Sequence, residues 1–135
     1  MYRKIIEPRV SETDGVGHIN NTTLPVWLEA ARNPIFKLFT PDDSFKNWRM
    51  IILHTSIDYK SQIYFGTEVI VYTWVKRIGK SSLELYEEIH QSDTLCARGT
   101  AIYVNFNQKE KKAEPIPSRI REQLEEHLYY SEEGK

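Results

Sequence analysis

Between Thr22 and Phe39 the apolar residues Leu24, Trp27, Leu28, Ala31, Ile35, Leu38 and Phe39 recur at steps of three and four. That period lays an apolar stripe along one face of a helix. Asn21 or Thr22 is placed to cap its start, and Pro25 falls in the first turn, where its missing N–H costs nothing. Pro34 sits deeper and predicts a kink or a restart after Asn33. From residue 49 to residue 107 the period drops to two, and runs at 50–59, 68–78, 81–91 and 94–106 read as strands. Turns at Phe65-Gly66-Thr67, Gly79-Lys80 and Ser92-Asp93 join them, and such short connections imply antiparallel neighbours. A first strand at residues 2–10 precedes the helix, with Pro8 favouring an edge position. The charged run 108–114 reads as a solvated loop. Pro117-Ser118 opens a short helix, about 117–130, with Ile120, Leu124 and Leu128 spaced by four.

In the 81–91 strand, Leu83, Leu85 and Ile89 alternate with Glu84, Glu88 and His90, so one face is buried and the other wet. In the 68–78 strand Val69, Val71 and Val75 take one face while Ile70, Tyr72 and Trp74 take the other. A small sheet apolar on both faces needs a second cover, and a partner subunit is the simplest source. The expected class is α+β: one long central helix against one antiparallel sheet, with a short C-terminal helix.

Composition narrows the function. The 135 residues suit a single domain at 1–135, with its core at about 2–107. Lys and Arg number 18 against 19 Asp and Glu, a balance that argues against a nucleic-acid-binding module. Cys96 is the single cysteine, so neither an internal disulfide nor a cysteine-rich zinc site is available. No apolar run is long enough to span a bilayer, and the start Met1-Tyr2-Arg3-Lys4-Ile5-Ile6-Glu7 lacks the apolar stretch of a signal peptide. The expected location is the cytoplasm.

Several motifs fail on inspection. Gly79-Lys80-Ser81 matches the end of a phosphate-binding loop, but the required earlier glycine is Trp74 and both flanks read as strand. No G-x-S-x-G elbow is present. His18, His54, His90 and Cys96 lack zinc-site spacing, so no metal is expected. Asn20 and Asn21 both satisfy N-x-[ST], which carries no weight without a secretory signal.

The segment 11–32 is chemically richer. Asp14, Gly15, Gly17, His18, Asn20 and Asn21 lie just before the helix start. The first turn of a helix exposes unpaired N–H groups at a positive dipole end, suited to polarising a carbonyl oxygen. Asp14 can act as a general base toward water or as a nucleophile. Asp14 and Asn21 equally suit plain capping of a turn and of the helix, with His18 filling a gap, and spacing alone leaves both readings open.

Ser11-Glu12-Thr13-Asp14-Gly15-Val16-Gly17-His18-Ile19-Asn20-Asn21, followed by Trp27-Leu28-Glu29-Ala30-Ala31-Arg32, resembles the opening of hotdog-fold acyl-CoA thioesterases of the 4-hydroxybenzoyl-CoA thioesterase type. The likeness continues through Ile57-Asp58-Tyr59-Lys60, Tyr64-Phe65-Gly66-Thr67-Glu68-Val69 and Lys76-Arg77-Ile78-Gly79-Lys80-Ser81-Ser82-Leu83. It implies a hotdog fold and hydrolysis of an acyl-CoA to carboxylic acid and coenzyme A. By position, Asp14 matches the catalytic carboxylate, His18 a supporting histidine, and Asn21 the helix start whose backbone N–H groups polarise the thioester. Lys76, Arg77, Gly79, Lys80, Ser81 and Ser82, with Tyr59, match the region that meets coenzyme A. Glu29 and Arg32, three apart on the helix, are expected to support the structure, at a spacing that permits an ion pair. No cofactor is implied, because coenzyme A is part of the substrate. The resemblance also implies a homodimer or homotetramer with sites between subunits. Thr22-Thr23-Leu24-Pro25 departs from the family's aromatic residue at that point, so the acyl group stays open. The alternatives are a non-catalytic acyl-CoA-binding hotdog protein and an acyl-carrier-protein thioesterase.

Overall fold

The computed structural model describes residues 1–15 and 17–130; Val16 and residues 131–135 lie outside the described residues. Strand β1 (Tyr2–Ile6) is followed by two short helices, α1 (Leu24–Ala31) and α2 (Asn33–Phe39). The chain then runs through β2 (Met50–Tyr59), β3 (Val69–Ile78), β4 (Ser82–Gln91) and β5 (Thr94–Asn107). It ends in β6 (Lys112–Ala113) and α3 (Ser118–Glu125). The sheet order is β1-β3-β4-β5-β2, every pair is antiparallel, and β6 adds to β5. A curled antiparallel sheet with few helices agrees with the expected hotdog arrangement. The Phe65-Gly66-Thr67 turn does not make neighbours of the strands it joins: β2 pairs with β5 at the far edge, and β3 takes β1 on that side instead.

The single long central helix does not form. Arg32 occupies the break between α1 and α2, with its amide donating to the Glu29 carbonyl at 3.0 Å in a tight turn. Pro34 lies in the first turn of α2, where it needs no N–H partner. The interruption that Pro34 imposes therefore falls at Arg32, and two stubs of eight and seven residues replace one helix. The start also differs. Asn20, not Asn21 or Thr22, is the cap: its side-chain oxygen accepts from the Thr22 amide at 2.8 Å and opens a 3-10 turn over Asn21–Thr23. The C-terminal helix is shorter than 117–130. Past Glu125 the chain turns and bonds to β3, with the Val75 amide donating to the His127 carbonyl and the Tyr129 amide to the Val75 carbonyl, both at 2.8 Å. The first strand ends at Ile6 rather than Val10, and Lys112–Ala113 of the charged run is strand rather than loop.

The inner face of the sheet holds two apolar clusters. One gathers Ile35, Phe36 and Phe39 of α2 with Val75, Leu83, Leu85, Ile120 and Leu124. The other gathers Leu24, Trp27, Leu28 and Ala31 of α1 with Ile19, Ile63, Val69, Val71 and Ile89. Between them runs a polar layer. Thr73 and Glu87 face each other across β3 and β4 in the row that otherwise holds valines and leucines, and both are fully buried. The guanidinium of Arg32 donates to Glu87 at 2.6 and 2.9 Å and to the Tyr103 hydroxyl at 3.0 Å, while Thr73 donates to Glu87 at 2.8 Å. Burial pushes the Glu87 carboxyl up, against the opposing pull of Arg32 and Thr73.

On the outer face, Tyr72, Trp74 and Tyr86 stack in sequence with centroids 5.8 Å apart, and Tyr129 packs on Trp74 and Tyr86. The chain thus shields part of its own second apolar face. The edge strand β2 is barer, with Ile52, Leu53 and Tyr59 all exposed.

Candidate active site

Residues 12–15 and 17–20 run back alongside each other. Thr13 and Ile19 pair as an antiparallel bridge, the Asn20 amide donates to the Glu12 carbonyl at 2.8 Å, and the Asp14 amide donates to the His18 carbonyl at 3.0 Å. Gly15 and Gly17 carry φ values of 91° and 85°, which residues with side chains rarely adopt, and these two positions make the reversal possible. The reversal leaves Asp14 exposed at its tip.

Two anchors hold this loop. Toward the helix, the Glu12 carboxylate is buried and accepts from the Trp27 indole N–H at 2.9 Å and from the Arg9 amide at 2.7 Å. Burial pushes Glu12 up, but the Arg9 amide, the Trp27 indole and the Arg9 guanidinium together hold it below the usual range. Toward the sheet, the Ile19 amide donates to the Ile63 carbonyl at 2.8 Å and the Phe65 amide to the Gly17 carbonyl at 2.9 Å. The half-buried His18 sets its ring edge-on to Tyr64, centroids 5.1 Å apart. Gln91 fixes that neighbour in turn: its side-chain amide donates to the Tyr64 and Thr67 carbonyls at 2.9 and 2.8 Å and accepts from the Tyr64 amide at 2.9 Å.

At the helix start, Thr22 and Thr23 direct their amides to Asn20. The Asn21 amide has no partner among the described residues, and its carbonyl accepts from the Tyr59 hydroxyl at 3.3 Å. Tyr59 and Asn21 therefore meet, although they are 38 residues apart in sequence. Beside them lies a groove of about 540 Å³ with Ile19, Leu24 and Ile63 as apolar lining and Lys60, Ser61 and Gln62 as polar lining.

The β3–β4 hairpin sits elsewhere. Lys76 and Arg77 both approach Glu84, at 3.5 and 3.7 Å, and the Ser82 carbonyl accepts from the Gly79 amide at 2.8 Å. Arg121 of α3 donates to the Gly79 carbonyl at 2.8 Å, and the Lys80 and Ser81 carbonyls accept from Ile116 and Asn105. Ile19, at the base of the Asp14 loop, packs with Val69 at the start of β3, and the hairpin follows Ile78 at the other end of that strand, about 30 Å along it at ~3.3 Å per residue. One chain does not unite them. Glu29 is exposed on α1, and the ion pair of Arg32 runs to Glu87 instead. Cys96 is buried, and burial pushes its thiol up, away from nucleophile use. Among the described residues no group of three His, Cys, Asp or Glu side chains is placed to hold a metal ion. Among the described residues no helix is long and apolar enough to cross a membrane.

Glu12, Glu87 and Gln91 are the site-supporting residues that the sequence pattern did not single out. Glu87 carried a signal, since it interrupts the inward row Leu83, Leu85, Ile89 with a charge that burial would force to find a partner.

Residues 8–124 match the family model of the thioesterase-like superfamily. The chain belongs to that superfamily. A predicted thioesterase from Bacillus stearothermophilus has a similar solved structure, 58% identical, with 96% of this chain and 98% of that chain covered and a TM-score of 0.91. A Thermus thermophilus thioesterase, solved as a complex with coenzyme A and zinc, is 26% identical over 92% of this chain and 91% of its own, with a TM-score of 0.80. The uncharacterized protein YsmA of Bacillus subtilis (strain 168) is 28% identical over 109 residues, 80% of this chain and 74% of its own. Thioester hydrolysis is accordingly the class of reaction assigned to this member of the thioesterase-like superfamily.

Proposed function

We propose that the protein hydrolyses an acyl-CoA, with Asp14 acting on the thioester as general base toward water or as nucleophile. The observation that carries this reading is the exposed Asp14, held on a glycine reversal beside a helix start whose Asn21 amide is unpartnered among the described residues. A thioester carbonyl aimed at the Asn21 N–H would have its developing negative charge stabilised while Asp14 delivers the attack. The acyl chain then lies along the apolar lining of the groove that Tyr59 borders. His18 supports the loop through its packing on Tyr64. A thioester is already activated, so water is the second reactant and neither a metal nor an organic cofactor is required.

Coenzyme A is the carrier on this reading, supported by the coenzyme A held in the Thermus relative. Lys76, Arg77, Lys80, Ser81 and Ser82, turned by Gly79, supply charge and hydroxyls for its phosphates. Because the hairpin lies at the far end of β3 from Asp14, it serves a second copy packed in the opposite direction. The bare edge and exposed apolar residues of β2 suit such a homodimer, which could pair further into a tetramer. The cytoplasm, where acyl-CoA is made and used, is the proposed location.

The test is a panel of acyl-CoA substrates of increasing chain length, run with wild type and Asp14→Asn in parallel. The expected result is turnover by wild type and a fall in kcat of at least about 100-fold in the variant. An Asp14→Asn enzyme at the wild-type rate overturns the mechanism. Tight binding without turnover would identify an acyl-CoA-binding protein instead, and preference for carrier-protein thioesters in direct competition would reassign the carrier.

A further inference from the structure

We infer that Glu12 is a positioning residue for Asp14, locking the loop that carries it to the first turn of α1 through the Trp27 indole. The inference rests on the Asp14 reading above and adds to it the device that sets the geometry. Asp14 and the helix start are the two halves of the proposed machinery, and they meet the substrate together only if the loop keeps its place against the helix. Main-chain bonds within residues 12–20 shape the loop but do not tie it to α1. The tie is the Glu12 side chain, which reaches 15 residues along the chain to Trp27 at 2.9 Å.

Each part of this contact has a chemical reason. Glu12 lies two residues before Asp14, at the end of a 3-10 turn, and is 8% exposed, so its carboxylate is buried while Asp14 is exposed. Its two oxygens take separate donors: one accepts the Arg9 amide at 2.7 Å, the other the Trp27 indole N–H at 2.9 Å and the Arg9 guanidinium at 3.2 Å. Only donors surround it, so an acceptor-only group is needed at both ends. Glutamine would turn its NH2 toward an N–H donor, and aspartate is one methylene short. Trp27 is itself buried among Leu24, Leu28 and Ile19, which makes it a fixed post. The main chain of Glu12 contributes again, since its carbonyl takes the Asn20 amide and so sets the distance to the residue that caps the helix.

The experiment compares Glu12→Gln, Trp27→Phe and the double variant with wild type, using the acyl-CoA that the panel finds best. Both kcat and KM are measured, together with the melting temperature and amide exchange at Asp14 and Asn20. Glu12→Gln is expected to lower kcat by about 10- to 100-fold with KM within about twofold, the signature of a displaced group rather than a lost substrate contact. Trp27→Phe keeps an aromatic ring in place and removes the donor; it is expected to lower kcat by about 3- to 10-fold and to raise exchange at Asp14 and Asn20. The double variant should be no worse than Glu12→Gln, because the two substitutions break one bond. Wild-type kcat in both single variants, or a loss that follows only the folded fraction, overturns the inference. If Glu12→Gln does not fold, Trp27→Phe alone decides it. Asp14→Asn run beside them separates the two failures: an active Asp14→Asn sinks the Asp14 reading and this inference with it. An inactive Asp14→Asn with fully active Glu12 and Trp27 variants sinks this inference alone.

Discussion

Arg32, at the break between α1 and α2, places its guanidinium 2.6 Å from the Glu87 carboxylate in the middle of β4, and both are buried. The pair ties the one irregular point of the helical layer to the centre of the sheet. Thr73 donates to the other Glu87 oxygen, and the Tyr103 hydroxyl accepts from Arg32. A buried ion pair gives little net stability, because desolvation opposes the attraction, yet removing one partner leaves an uncompensated charge. Glu87→Ala is therefore expected to cost about 3–5 kcal/mol, read as a lower midpoint in urea. A loss under about 1 kcal/mol would mean that Arg32 finds water or another partner and that the layer is not the anchor described.

Gln91 controls the loop behind His18. It is buried and makes three hydrogen bonds to the main chain of Tyr64 and Thr67. Gln91→Ala should cost about 1–3 kcal/mol by orphaning those groups. Gln91→Glu should behave in the same direction, since a carboxylate cannot donate to two carbonyls. Amide exchange at Phe65, which bonds to Gly17, is the local readout and should rise in both variants. Unchanged exchange there would show that the glycine loop holds itself.

Gly99 has a reason unrelated to turns. It lies opposite Ile57 in the β2–β5 pair, and a Cβ at this position would run into the Ser56 carbonyl oxygen. Gly99→Ala must push β2 outward, at about 1–3 kcal/mol. Because Tyr59 ends β2 and touches Asn21, the same variant should also disturb the groove beside the helix start. Thermal melting checks the first effect and the KM for acyl-CoA the second; wild-type values for both would contradict the packing described.

Glu12 predicts a pH dependence of stability. Its folded pKa lies below the usual value, so the contribution is fully present above the unfolded glutamate value of about 4.3 and is lost as pH falls through the lower folded value. Stability of the wild type should therefore fall more steeply on acidification than that of Glu12→Gln, by urea midpoints taken between about pH 6 and pH 3. Parallel curves would mean that the carboxylate does not distinguish the two states.

The sheet was legible in the sequence because alternation at Leu83, Leu85 and Ile89, and at Val69, Val71 and Val75, states which face is buried. The tight turns at Gly79-Lys80 and Ser92-Asp93 state the β3–β4 and β4–β5 pairing, whereas the Phe65-Gly66-Thr67 turn misleads, because β2 pairs with β5 and leaves that side of β3 to β1. The interruption near Pro34 was legible too, since proline removes a donor wherever it stands. Its exact site was not, because Arg32 is drawn to Glu87 across 55 residues, and no local pattern encodes that attraction. Asp14 and its glycine loop stood out through residue type and order. Glu12 did not: its partner Trp27 looks like one more member of an apolar stripe, and only the fold turns the indole N–H toward the loop. The cap fell to Asn20 rather than Asn21 because a 3-10 turn, not an α-helical one, opens the helical segment.

The polar layer of Arg32, Thr73, Glu87 and Tyr103 has a further effect on how the molecule moves. It cuts the interior into a half built on α1, next to the Asp14 loop, and a half built on α2, next to the β3–β4 hairpin. Hydrophobic contact is continuous within each half and interrupted between them, so the two halves are natural units of partial opening. On this packing the half beside Asp14 is expected to open without the other, with the Arg32–Glu87 seam as the boundary between them.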